Sequence, residues 1–153
     1  MNVENIVNEM YEELINNNVP MTISSISNYY NILIAYNDDI NCHVVYRGFP
    51  IIYLKNDTSY NMWQEFTHEL AHFAMHDTKQ TEMHSMFNDM QENQANKFSI
   101  LFQMPQSVIE SEELFTQDKL INHFGIDYEK ALKRLKLLFN YYCSDRGITN
   151  GDI

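Results

Sequence analysis

The residues with chemistry to offer lie in one short stretch, His68-Glu69-Leu70-Ala71-His72. On an α-helix, positions four apart stand one turn apart on the same face, so the imidazoles of His68 and His72 reach a single ion. Glu69 stands beside them, angled away from the core, a carboxylate placed to take a proton from water that the metal activates. Two imidazoles at this spacing, with a base next to one of them, are the donor pattern of a zinc-dependent hydrolase. The plain alternative is a partly buried helix carrying two solvated histidines.

That chemistry needs a helix, and the surrounding residues supply one. Trp63, Phe66, Leu70, Phe73 and Ala74 recur at helical spacing within 59–77 and define an apolar face, with His68 and His72 roughly opposite its centre. Asp57-Thr58-Ser59 offers N-cap residues before it, and Asp77-Thr78 closes it. Residues 77–90 read as a loop or broken turn that brings the chain back over the metal. Gln91–Gln103 reads as a second helix, stopped by Met104-Pro105. Glu92, Ala95, Asn96 and Ser99 share one face of it. Ala95 and Ser99 are small, so this face approaches another helix closely. Glu92 then completes a set of two histidines and a glutamate with one position open. Asn96, one turn later, is placed to bond the second ring nitrogen of a ligand histidine.

Spacing alone leaves alternatives. Glu82 competes with Glu92 for the third ligand position, and Glu92 reads equally as a solvated helix carboxylate. His76, one turn beyond His72, is disfavoured, because three ligands in line along one helix cannot surround an ion tetrahedrally. His43 sits in a strand-like run with no partner spacing and is set aside as a surface or half-buried residue.

The rest of the chain reads as an α+β fold with helices around a small sheet of about three strands, mostly antiparallel. A helix over 2–17 carries Val3, Ile6, Val7, Met10 and Leu14 as its apolar stripe. A short helix runs from Thr22 or Ser24 to about Tyr30. Strands are expected at 31–36, 43–46 and 51–54, the last two joined as a hairpin through Arg47-Gly48-Phe49-Pro50. After Pro105 come Gln106–Glu113, a short helix Gln117–Phe124, a turn at Gly125, and a helix from its cap Asp127 to about Tyr142. The expected organisation is a single domain over 1–153, with a core at about 20–105, a helical C-terminal part at 106–142 and a tail at 143–153.

Composition narrows the function classes. Apolar residues make up 44% and aromatics 13% of the 153 residues, a globular rather than a disordered balance. There is no apolar run near 18 residues and no basic-then-apolar N-terminus, so neither a membrane span nor secretion is expected, and the cytoplasm is the expected compartment. Cys42 and Cys143 fit no metal or redox spacing. The formal net charge of −11 is uneven: residues 1–111 carry 14 acidic and 4 basic side chains, while 112–146 carry 6 of each. Such a body repels a phosphate backbone, so direct nucleic-acid binding is not expected. Leu120–Asp127 does look like a helix-turn-helix junction, followed by Lys130, Lys133, Arg134 and Lys136. A helical cover over the catalytic core is the preferred reading of that region.

With both motifs in view, the chain resembles the ImmA/IrrE metallopeptidases. Their pattern is H-E-L-G-H followed by E-x-x-A-N-x-F-A-x-x-L-L-M-P, and here His-Glu-Leu-Ala-His at 68–72 precedes Glu92-Asn93-Gln94-Ala95-Asn96-Lys97-Phe98-Ser99-Ile100-Leu101-Phe102-Gln103-Met104-Pro105. The resemblance implies one zinc ion per chain, bound by His68, His72 and Glu92, with Glu69 as catalytic base on a zincin-like active-site helix. It implies an endopeptidase whose protein substrate is a helix-turn-helix repressor of a phage or other mobile element. Ala71 stands where the family usually has Gly, Ser99 replaces an Ala and Phe102 a Leu; none of these touches a ligand or the base. The rival from another class is a zinc-stabilised regulatory module that binds a partner and cleaves nothing, which would have no use for Glu69. A second group to stabilise the oxyanion is expected, with His76, His84 or a tyrosine as candidates.

Overall fold

The computed structural model describes residues 2–75 and 85–144. Two compact units emerge, residues 1–102 and 103–153. The first holds four helices and the sheet among its described residues: α1 (Val3–Asn16), α2 (Ile23–Tyr30), β1 (Leu33–Asn37), β2 (Cys42–Tyr46), β3 (Phe49–Lys55), α3 (Ser59–Met75) and the greater part of α4 (Ser85–Gln103). The second holds α5 (Gln106–Glu112), α6 (Gln117–Phe124) and α7 (Tyr128–Tyr142).

Local chemistry accounts for the helix limits. The Asn2 and Thr22 side chains accept the amides of Asn5 and Ser25, capping α1 and α2 at their N-termini. Asn31 ends α2 in the left-handed conformation, φ 57°. Thr58 caps α3, its Oγ1 accepting the Asn61 amide at 3.2 Å, as the Asp57-Thr58-Ser59 cluster led us to expect. Val3, Val7, Met10 and Leu14 form the buried stripe of α1.

The sheet has the order β1-β3-β2. β2 and β3 form the expected antiparallel hairpin, but the turn is only Arg47-Gly48, both at positive φ (50° and 82°), so Phe49 and Pro50 already belong to β3. The other ladder, β1 with β3, is parallel, making the sheet mixed. The reason lies in the connection: β2 lies between β1 and β3 in sequence but pairs beyond β3, so the chain leaves β1, reverses, and returns in β1's own direction. Pro50 costs the sheet nothing, because it faces Val45 at a non-bonded position of the hairpin and the parallel ladder begins only at Ile51.

α3 packs on β3 and β2 and is the centre of this unit. Phe66, Leu70 and Ala71 are fully buried, and so is Thr67. α4 closes its other side. Trp63 meets Phe102, Thr67 meets Ser99 and His72 meets Glu92, so the two helices run antiparallel. The small face expected of α4 is what allows this: Ala95 and Ser99 are buried, and Ser99 Oγ lies 2.6 Å from Thr67 Oγ1. α4 begins at Ser85, a turn and a half before the expected Gln91. Asn88 and Asp89, read in sequence as loop residues, lie inside it, because extending an existing helix outweighs their weak local preference for turns. The expectations for Asp77-Thr78, His76, Glu82 and His84 lie outside the described residues.

In the second unit, Ile109, Leu114, Leu120, Ile126, Ala131 and Leu138 are buried, and Gly125 turns the chain between α6 and α7 at φ 64°. Arg134 differs from its reading as a base for DNA. It is 1% exposed, with Nε donating to the Met104 carbonyl at 2.8 Å and an Nη donating to Gln106 Oε1 at 3.0 Å. Lys130 is paired with Asp127 of its own first turn, at 3.3 Å. Of the four basic residues, only Lys133 and Lys136 stay exposed. A buried guanidinium with two hydrogen bonds is structural, and its removal strands a buried carbonyl. Arg134→Met is therefore expected to lower unfolding free energy by about 2–4 kcal/mol in urea titrations, whereas Lys133→Met changes it by less than about 0.5 kcal/mol.

Candidate metal centre

α3 and α4 bring three of the sequence-predicted residues together. His68 Nε2 lies 2.8 Å from one carboxylate oxygen of Glu92, and His72 Nε2 lies 3.0 Å from the other. One donor atom from each of the three falls within 4.8 Å of the others. The helix register explains the convergence: His68 and His72 are one turn apart on α3, and Glu92 projects from the antiparallel α4 between them. Exposure is graded across the cluster, with the His72 side chain at 2%, His68 at 19% and Glu92 at 45%, so the cleft opens past Glu92 and His68.

Two imidazole nitrogens and one carboxylate oxygen, aimed at a common point and open on one side, are a donor set that suits zinc. The two Glu92 carboxylate oxygens lie within hydrogen-bond distance of the two rings, one oxygen to each. The same atoms are the ones that would bind the metal.

Glu69 corrects one expectation. It was read as angled away from the core, yet it is 7% exposed. The histidine side of α3 is not a solvated face, because β2 and α4 cover it. Burial pushes the Glu69 carboxyl up to about 8, with the charges of Glu92 and Glu65 acting in the same direction and a hydrogen bond from the His43 main-chain N–H opposing them. A divalent cation held by the three ligands would act the opposite way, favouring the carboxylate.

His43 is the residue that the sequence reading set aside. It is buried, at 8% exposure, on the inner face of β2. Its ring meets Phe73 edge-on at 6.2 Å, and neither ring nitrogen finds a hydrogen-bond partner among the described residues. Burial lowers its pKa, keeping the ring neutral. The signal that could have found it was the hairpin: once the turn is Arg47-Gly48, strand parity turns the His43 main chain outward from β3. Asn96, assigned to a ligand histidine's second nitrogen, is exposed and makes no side-chain hydrogen bond among the described residues.

With this geometry established, the comparisons with known proteins are direct. Residues 28–136 match the Peptidase M78 family, described as the IrrE N-terminal-like domain. The chain belongs to this family. It is also similar to the phage-like element PBSX protein XkdA of Bacillus subtilis (strain 168), with 29% identity over 85 residues, 55% of this chain and 43% of that protein. The match thus spans less than half the length of that relative. No solved structure matches significantly. The family match covers α3, α4 and the sheet, and it supports a metallopeptidase-like function. No described helix is long and apolar enough to cross a membrane.

Two measurements follow from the site. Metal analysis of the purified protein is expected to lose the bound ion in Glu92→Ala and to keep it in Glu82→Ala; the reverse would move the third ligand to Glu82. In the metal-free protein, folded Glu69 keeps its proton up to about pH 8, while the unfolded carboxyl releases it near 4.5. Unfolding therefore releases a proton in that window, and stability falls as pH rises through it. Thermal scans from pH 5 to 8 are expected to show a wild-type decline that Glu69→Gln reduces.

Proposed function

We propose that this chain is a zinc-dependent endopeptidase acting in the cytoplasm, with His68, His72 and Glu92 holding the metal and Glu69 as general base. The observation that carries the reading is the convergence of the two imidazoles on the Glu92 carboxylate with Glu69 buried alongside. Bound zinc would supply Lewis acidity, for a carbonyl oxygen and for water. Glu69 would take the proton of the attacking water and return it to the leaving amine. Its buried surroundings suit that task, because a carboxyl shielded from bulk water exchanges its proton with the reacting groups rather than with solvent. A metal held only for structure would need no such neighbour, which weighs against the binding-module reading.

For the substrate we propose a helix-turn-helix repressor of a phage or other mobile element, cut at one or few sites. Membership of the family and the similarity to a protein of a phage-like element support this. The net charge of −11 is also consistent with it, since it attracts a basic, DNA-binding partner and raises encounter rates in a salt-dependent way.

The zinc-loaded protein, incubated with a repressor encoded beside its gene, is expected to cut it at a single position, mapped by mass spectrometry. Glu69→Gln, which keeps the shape and the metal but removes the base, is expected to slow cleavage by about 10²–10⁴-fold. Wild-type turnover in that variant would overturn the mechanism. Digestion of unstructured casein at many sites with the repressor untouched would overturn the substrate.

A further inference from the structure

β2 is an edge strand among the described residues, paired only with β3. The two-residue turn fixes its hydrogen-bond parity. Tyr46 faces Phe49 across the turn as a bonded pair, and bonded and non-bonded pairs then alternate. Val44 opposite Ile51 and Cys42 opposite Tyr53 are bonded pairs; Val45 opposite Pro50 and His43 opposite Ile52 are not. The main-chain N–H groups of His43 and Val45 therefore point away from β3, off the free edge. Pro50, which has no N–H to give, agrees with this assignment.

One of the two outward N–H groups lies on the Glu69 side: the His43 main-chain N–H favours the charged form of the Glu69 carboxyl. α3 packs against β2, and Phe73, one turn beyond Glu69 on the same side of α3, meets the His43 ring. The ring is buried with no hydrogen-bond partner among the described residues, a desolvation cost that calls for an explanation. We propose that His43 is a positioning residue for Glu69: its main-chain N–H, aimed off the open edge of β2, fixes the Glu69 carboxylate, and its buried ring against Phe73 holds the strand at that distance from α3. This rests on the reading of Glu69 as general base. A carboxylate on a long, rotatable side chain gains a fixed orientation from such a donor. An edge strand is the part of a sheet that has an N–H to spare for it.

Hydrogen exchange tests the bond without reference to activity. In the wild type, the His43 amide is expected to exchange about tenfold more slowly than the Val45 amide, the other outward N–H of the strand. Glu69→Ala is expected to remove that difference while the ladder amides of Cys42 and Val44 stay protected, showing that the sheet persists. Equal exchange at 43 and 45 in the wild type, or unchanged protection in Glu69→Ala, overturns the proposal. Kinetics then test what the bond does. His43→Pro removes the N–H at a position where an edge strand accepts proline, and it is expected to lower kcat by about 10–100-fold with KM and zinc content kept. Val45→Pro, which removes the neighbouring outward N–H, is expected to leave kcat within about threefold. Equal losses in both variants overturn the positioning role. If cleavage is absent altogether, the endopeptidase reading fails, and the exchange data still decide whether the bond exists.

Discussion

The close antiparallel packing of α3 on α4 is the constraint on which the site depends. Two histidines on one helix can present their rings to an ion, but they cannot supply a third ligand from a different direction. That ligand must come from a second helix near enough for a carboxylate to reach both rings. Ala95 and Ser99 make the approach possible by their size, and the Thr67–Ser99 hydrogen bond of 2.6 Å marks how close it is. A larger residue at either position would push Glu92 away from the histidines before it disturbed the histidines themselves. The Ser at 99, where the family pattern has Ala, keeps the small size and adds a polar link between the two helices. The site is in this sense a product of packing, with side chains that make no contact with the ligand atoms setting its geometry.

Burial on both sides of α3 gives the site its electrostatic character. The sheet covers one side and α4 the other, leaving Glu69 buried with the charges of Glu92 and Glu65 opposing its ionisation. Such a carboxyl resists ionisation until a positive charge arrives. A cation held by His68, His72 and Glu92 would supply one, so its binding and the ionisation of Glu69 would favour each other.

Much of this was legible in the sequence, for identifiable reasons. The helix carrying His68 and His72 announced itself through apolar spacing and an N-cap cluster. The second helix was found from its small residues and its terminating proline. Glu92 was open to competition on spacing and became specific only through the family pattern. What escaped notice depended on strand partners. The parallel pairing of β1 with β3 cannot be read from a short link, because it concerns a strand that the hairpin leaves unspecified. The burial of Glu69 and of His43 follows from the sheet lying over α3, and helix periodicity alone places neither residue against a strand. Arg134 shows the same limit: four basic residues in seven positions suggest a charged face, and only the tertiary fold shows that one of them is buried against the Met104 carbonyl.

The central claim is that a metal sits where α3 and α4 converge. Crystals grown with zinc, measured on both sides of the zinc absorption edge, locate the ion without assumption. The account predicts one strong anomalous peak, about 2.0–2.2 Å from His68 Nε2, His72 Nε2 and a Glu92 oxygen. A peak held by the two histidines with Glu92 turned to solvent, or no peak between the helices, would contradict it.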